Sequence, residues 1–517
     1  MRKLILTVAL LSTAEPVLAE PSNLLKCDGY GRRVPVAEQA ANALLVLGTL
    51  GIFGGLFGGP EADDTAARAK AEKGVEACTA ALASDDRVTG NAIRRGEVLL
   101  ARAIRYIEIG KLEEAIADAR AARAVELPEI LRADYARSAG VAAWLVEASA
   151  EARAGRQDKA EAAALAAFDA RPYGGYTANE ATDLLLLSPE ISPAEQVALD
   201  RYARIHPGGL TRRGTAREGA GDFAGAAADF ALWNSMLETP NALTAARVAA
   251  LKAVAGAKDA DAALTTAQQL VDEVAAKATG SDREAQEAAA LVARADELIQ
   301  LARVQLALAK AATPAEATAA TALLAAKSRW LAPPAIVGAV VASARAKAPG
   351  AVITIDPAKL AADARRVALE RIAGPKAAEG MMILYPRFEA NGARADRAKA
   401  IQPGAKTVKT EPQRAGTMQQ YSISDDRAFI DTATEASLLM LARAAAAKGA
   451  DRFVMIDERL AVGIAREGFT GSNVRTLVAF PTDKAWAGQE GRAVTVAELE
   501  AALAPLYVVP APVKPPR

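Results

Sequence analysis

The 517-residue sequence predicts a mainly α-helical chain: an α-solenoid of helical hairpins followed by a small α+β domain. Three observations predict it. Apolar residues make up 51% of the chain but aromatics only 4%, and much of the rest is alanine, which suits close-packed small-residue helices better than a β-sandwich. From Thr65 to about Gly374, apolar residues recur three and four apart, with breaks at glycine, proline and Asp/Ser clusters. Beyond Gly374 the period changes to short apolar or alternating runs that read as strands.

Residues 1–19 read as a secretory signal. Arg2 and Lys3 supply the positive start, Leu4 to Leu11 the apolar run, and Val17-Leu18-Ala19 a small-residue cleavage site. Cleavage after Ala19 places the mature chain in an exported compartment, most simply a bacterial periplasm. In that oxidising space Cys27 and Cys78 are expected to pair, the alternative being two free buried thiols. Between them lies an apolar, glycine-rich stretch, residues 43–59, read as a buried helix and glycine-rich turn. The alternative keeps the first segment uncleaved and uses 43–59 as a membrane anchor.

The helical region carries a repeated register. Gly110 precedes Ala115, Gly155 precedes Ala160 and Gly221 precedes Ala226, each by five residues. A glycine there ends one helix through a left-handed turn, and a small residue five later lets two antiparallel backbones approach at their crossing. Upstream, Trp144 with Ala148 and Leu210 with Gly214 repeat a large-then-small pair four apart. Ser192-Pro193 starts a helix in the gap between the second and third registers. Asp356-Pro357 caps the start of a last helix ending near Gly374.

These residues resemble the tetratricopeptide repeat. Residues 141–172 match best, through Trp144, Ala148, Gly155, Ala160, Ala167 and Pro172. Residues 96–128 and 207–240 match less fully, and Val75 to Leu82 looks like the second helix of a partial repeat. The resemblance implies a concave surface, lined by the first helix of each hairpin, that holds peptides or helices. On this sequence the lining would include Glu97, Leu100, Ile104 and Ile107, then Leu145 and Ser149, then Thr215 and Glu218. The basic and asparagine residues of carboxylate-clamp repeats are missing there. The leucines and isoleucines instead suggest an apolar groove for an amphipathic helix or extended peptide.

Six segments follow: the signal (1–19), an N-terminal segment (20–64), repeats (65–240), further helices (241–374), an α+β domain (375–507) and a proline-rich tail (508–517). Within the α+β domain, Met381 to Tyr385 reads as a buried strand, and Gln420 to Ser424, Phe453 to Ile456 and Val474 to Phe480 as further strands. Thr432 and Glu435 form a capping box for a helix reaching Gly449, and a second helix spans Thr495 to Leu506. The run Leu441 to Ala445, with Gly449 and Phe453, resembles the core of small domains in bacterial envelope lipoproteins.

Chemistry is sparse. Equal numbers of basic and acidic residues, 62 of each, argue against a general nucleic-acid binder. One histidine and two cysteines are too few for a His/Cys zinc site, so no metal or cofactor is expected. His206 reads as a helix-terminus residue favoured by the dipole. Asp425, Asp426, Asp431, Asp457 and Glu458 read as solvated turns and caps, and the basic loop 394–414 as a flexible charged segment. The expected function is non-catalytic: a periplasmic or cell-envelope scaffold that binds a protein or peptide partner through the groove. The alternatives are an envelope hydrolase using C-terminal carboxylates, or a membrane-anchored assembly factor.

Overall fold

The structure is a computed structural model that describes residues 21–30, 64–188, 190–278, 282–327, 330–384, 410–411, 418–425, 430–465 and 468–507. The expected signal, the 43–59 stretch, most of the 394–414 loop and the 508–517 tail lie outside the described residues. Among the described residues no helix is long and apolar enough to cross a membrane.

The chain is mainly helical, with a small sheet near its C-terminus. The first helices are α1 (Asn23–Asp28), α2 (Ala71–Ser84), α3 (Asp86–Thr89), α4 (Ala92–Glu108), α5 (Leu112–Arg123), α6 (Glu129–Ala136), α7 (Ala139–Arg153) and α8 (Gln157–Ala170). They are followed by α9 (Gly175–Leu185), α10 (Pro193–Ile205), α11 (Gly209–Gly219), α12 (Phe223–Met236), α13 (Ala242–Val254), α14 (Ala260–Ala275) and α15 (Arg283–Lys310). Then come α16 (Pro314–Ala320), α17 (Ala322–Ala326), α18 (Pro334–Lys347), α19 (Pro357–Ala373) and α20 (Pro375–Leu384).

Local chemistry explains the hairpins. Helices α4 and α5, α7 and α8, and α11 and α12 pack as neighbouring pairs. The glycine joining each pair, Gly110, Gly155 or Gly221, has φ of 78°, 75° or 82°, a backbone that a Cβ would strain. Ala115, Ala160 and Ala226 are all buried where the helices meet. At Gly214 a Cβ would stand 3.0 Å from the Phe230 ring, so the large-then-small pattern reflects a crossing with no spare room. Ser192 and Glu195 close a reciprocal capping box on α10, and Asp356 caps α19. Near the N-terminus a Cys27–Cys78 disulfide ties α1 to α2, and buried Arg94 of α4 donates to Asp28 at 2.6 and 2.9 Å.

The sheet has three long antiparallel strands, β2 (Met418–Asp425), β4 (Gly468–Ala479) and β3 (Arg452–Ala465), in that spatial order. Two-residue strands flank it, β1 (Thr410–Glu411) beside β2 and β5 (Val494–Thr495) beside β3. Phe453, Met455 and Val478 pack on α21 (Ile430–Ala447) and α22 (Val496–Leu503), through Leu438, Leu439, Leu499 and Leu503. The alternate residues Val454, Ile456 and Ala479 pack on Ala203, Leu210 and Met236 of the helical array. One sheet therefore serves two layers.

Two expectations need correction. Met381 to Leu384 form the end of α20 rather than a strand. An apolar run that short has no period separating strand from helix, and the Pro375 start with Ala377 and Ala378 decides for helix. Thr432 and Glu435 form no capping box either, because α21 begins at Ile430 and both lie inside it.

Candidate functional site

Two faces of the helical array are covered by later parts of the same chain. The first is the side of α4 and α7. Leu100, Ile104 and Ile107 of α4 and Leu145 of α7 are buried. They share one apolar cluster with Ala378, Met381 and Met382 of α20, against which Leu369 and Ile372 of α19 also pack. Helix α20 lies on α4 and α19 lies on α7. Lys70 and Glu379 join at the rim, 2.7 Å apart.

The polar groove positions are engaged within the array. Glu97 accepts from Arg94 at 3.2 Å, and Ser149 donates to the Leu145 carbonyl at 2.9 Å. Glu218 accepts from Arg247 of α13 at 2.8 Å, and Arg247 also donates to Thr215 at 3.3 Å. The structure thus gathers the apolar α4 and α7 positions into one cluster with residues of α19 and α20, whereas Thr215 and Glu218 belong to a separate contact with α13.

The second covered face is the start of α9. Asp431, from α21, accepts hydrogen bonds from the backbone N–H groups of Tyr176 and Thr177 at 2.8 and 3.1 Å, and from the Thr177 hydroxyl. It therefore caps a helix some 250 residues away in sequence. Gly174 makes room, since a Cβ there would stand 2.7 Å from the Asp431 carboxyl carbon. One turn further along α21, Glu435 accepts from Arg171 at 3.0 and 3.1 Å and from Arg137 at 2.6 Å. Glu458, at the end of the β3 bulge, meets His206 Nδ1 at 2.8 Å. Both approach the helix start closely: a Cβ on Gly175 would lie 3.4 Å from His206 and 3.6 Å from Glu458. Arg204 donates to Glu498 at 2.8 Å, and Arg492 reaches the Ala203 carbonyl at 3.1 Å.

Burial sets the proton affinities here. It raises the Asp431 carboxyl, and the opposing pull of Arg171 and the Thr177 bonds does not fully offset it. Burial also acts on Glu435, but the charges of Arg171 and Arg137 win and hold it below the usual range. His206 loses affinity through burial and gains more from Glu458, Asp431 and the Tyr173 backbone, for a net rise. Glu180, on α9 nearby, is pushed up to about 7 by burial and by Asp183.

Comparison with family models, curated proteins and solved structures found no match. Of the five C-terminal carboxylates, Asp431 and Glu458 both lie at the start of α9, Asp431 fully buried and engaged through both oxygens, Glu458 half-buried and engaged through Oε2 alone. Asp457 pairs with Arg459 at 3.0 Å, while Asp426 and the Asp425 side chain lie outside the described residues. The expectation of solvated caps is corrected for Asp431, which is a cap but a buried one, and for Glu458. Among the described residues no group of three or more His, Cys, Asp or Glu is placed to hold a metal ion.

Arg137 and Arg171 carry no mark in the sequence reading, and Glu435 is read there as a capping residue rather than as their partner. The two arginines stand 34 residues apart, and each donates to backbone at the other's turn.

Proposed function

We propose that this chain is a non-catalytic scaffold of the bacterial cell envelope, exported by a cleaved signal, that binds a protein partner through a helix-accepting groove. In this reading the hairpins are of tetratricopeptide type and stack as an α-solenoid, and the α+β domain offers a second contact. Several features support it: the left-handed glycine turns, the buried alanines five residues later, and a disulfide suited to an oxidising compartment.

What carries the proposal is the seating of α20 on α4 and of α19 on α7. Leu100, Ile104, Ile107 and Leu145 share an apolar cluster with residues of α20, and packing of a helix on α4 and α7 is the chemistry a helix-binding groove needs. The test is a photo-cross-linking residue at position 70, on the groove rim, in the full exported chain. A defined protein adduct is expected from position 70 and not from position 283, whose side chain is 92% exposed on α15. Identical adduct patterns from both positions, or none from position 70, would overturn the proposal.

A further inference from the structure

We propose that residues 357–384 are a built-in occupant of the groove, which a partner helix of like pattern displaces; this rests on the scaffold reading above. Helix α20 presents Ala378, then Met381 and Met382 three and four residues later, all buried against the array. Glu379, next to the small residue, reaches Lys70 at the rim. A small residue allows close approach, and two unbranched thioether side chains fill an apolar seat without demanding one fixed shape.

The segment is anchored mainly by α20, through Ala378, Met381 and Met382. Only Ala373 of the 17 residues in α19 is buried, and Arg365, Arg366 and Val367 face solvent. By contrast α18, just before it, buries Ile336, Val337, Val340, Val341 and Ala344. The one described ion pair of α20 is exposed, with side chains 64% and 52% accessible. Lifting α19 and α20 uncovers part of the apolar cluster they share with α4 and α7, while each hairpin keeps its own buried alanines and leucines. The partner that fits is an amphipathic helix carrying a small residue, an acidic residue beside it, and two large flexible apolar residues three and four positions on. Because the occupant is tethered, such a partner meets an affinity reduced by the fraction of chains in which the segment is lifted.

The test uses a fluorescent peptide of residues 357–384 titrated against the full chain in four forms. These are the wild type, E379K, M381D/M382D, and K70C/E379C bridged by a bismaleimide. Both native cysteines are in the disulfide and leave no competing thiol. The expected result is binding to M381D/M382D at least about tenfold tighter than to wild type, a smaller gain for E379K, and none to the bridged chain. Equal affinity for wild type and the loosened chains would overturn the occlusion, and the position-70 cross-link would then judge the scaffold separately. Binding to none of the chains would overturn the claim that the segment is a separable ligand. Should M381D/M382D fail to fold, E379K against the bridged chain makes the same comparison, since both altered positions are exposed.

Discussion

Replacing Asp431 with alanine should free the start of α9 without touching the hairpins. The carboxylate is the acceptor for the Tyr176 and Thr177 amides and for the Thr177 hydroxyl. Loss of an N-cap costs about 1–2 kcal/mol. Each polar group left buried without a partner adds roughly 1–3 kcal/mol, and Thr177 and Asp431 are fully buried. Allowing for partial relaxation, ~3 kcal/mol of local stability is lost, equivalent to more than about a hundredfold in opening. Amide hydrogen exchange reads this directly at Tyr176 and Thr177. Asp431→Asn is the control: it keeps an acceptor oxygen and sheds a charge that burial already disfavours, so it should cost below about 1 kcal/mol. Unchanged protection of those two amides in Asp431→Ala would refute the capping role.

Other outcomes follow from the same geometry. Glu180 has a folded value of about 7 against an ordinary 4.5, so its contribution to stability is full at low pH and is lost as pH rises through 7. Glu180→Gln should flatten that decline in urea midpoints measured between pH 4.5 and 8, and an unaltered slope would contradict it. His206, raised by Glu458, works in the same sense: its pairing is fully present below about 6.5 and lost above its folded value. Removing the Cys27–Cys78 bond, which closes a separation of 51 residues, should cost about 4 kcal/mol on the chain-entropy model, seen as earlier denaturation of the N-terminal helices. Ala160→Leu at a closed helix crossing should destabilise by about 1–3 kcal/mol, whereas the same change at exposed Ala362 should be silent in thermal melts.

The hairpins were legible because their causes are local. A glycine that must turn left-handed and an alanine five residues on, where backbones cross, are both written within one stretch of chain. The strands at Phe453 and Val474 were legible for a similar reason, being β-branched and aromatic runs between turn residues. Helix α20 was not, since Met381 to Leu384 fits either period and the helix is decided by its Pro375 start and the alanines that follow. The junction was hidden by separation. Asp431 and the α9 amides, Glu435 and Arg171, and Glu458 and His206 are joined over 252 to 264 residues, and no local pattern marks such pairs. His206 did sit at a helix end as expected, capping α10, but its partner there could not be read from its neighbours. Leu100, Ile104, Ile107 and Leu145 were legible as apolar positions of two neighbouring helices, while Thr215 and Glu218 fall in a separate contact and the packing of α19 and α20 on α7 and α4 left no local mark.

Native-state hydrogen exchange on the intact chain, followed across α4, α7, α19 and α20, most directly tests the idea that one face of the array holds a detachable helix. Helices α19 and α20 are expected to open together, at a lower free energy than α4 and α7, which stay protected. Exchange of α20 only in step with α4, in a single cooperative opening, would contradict it.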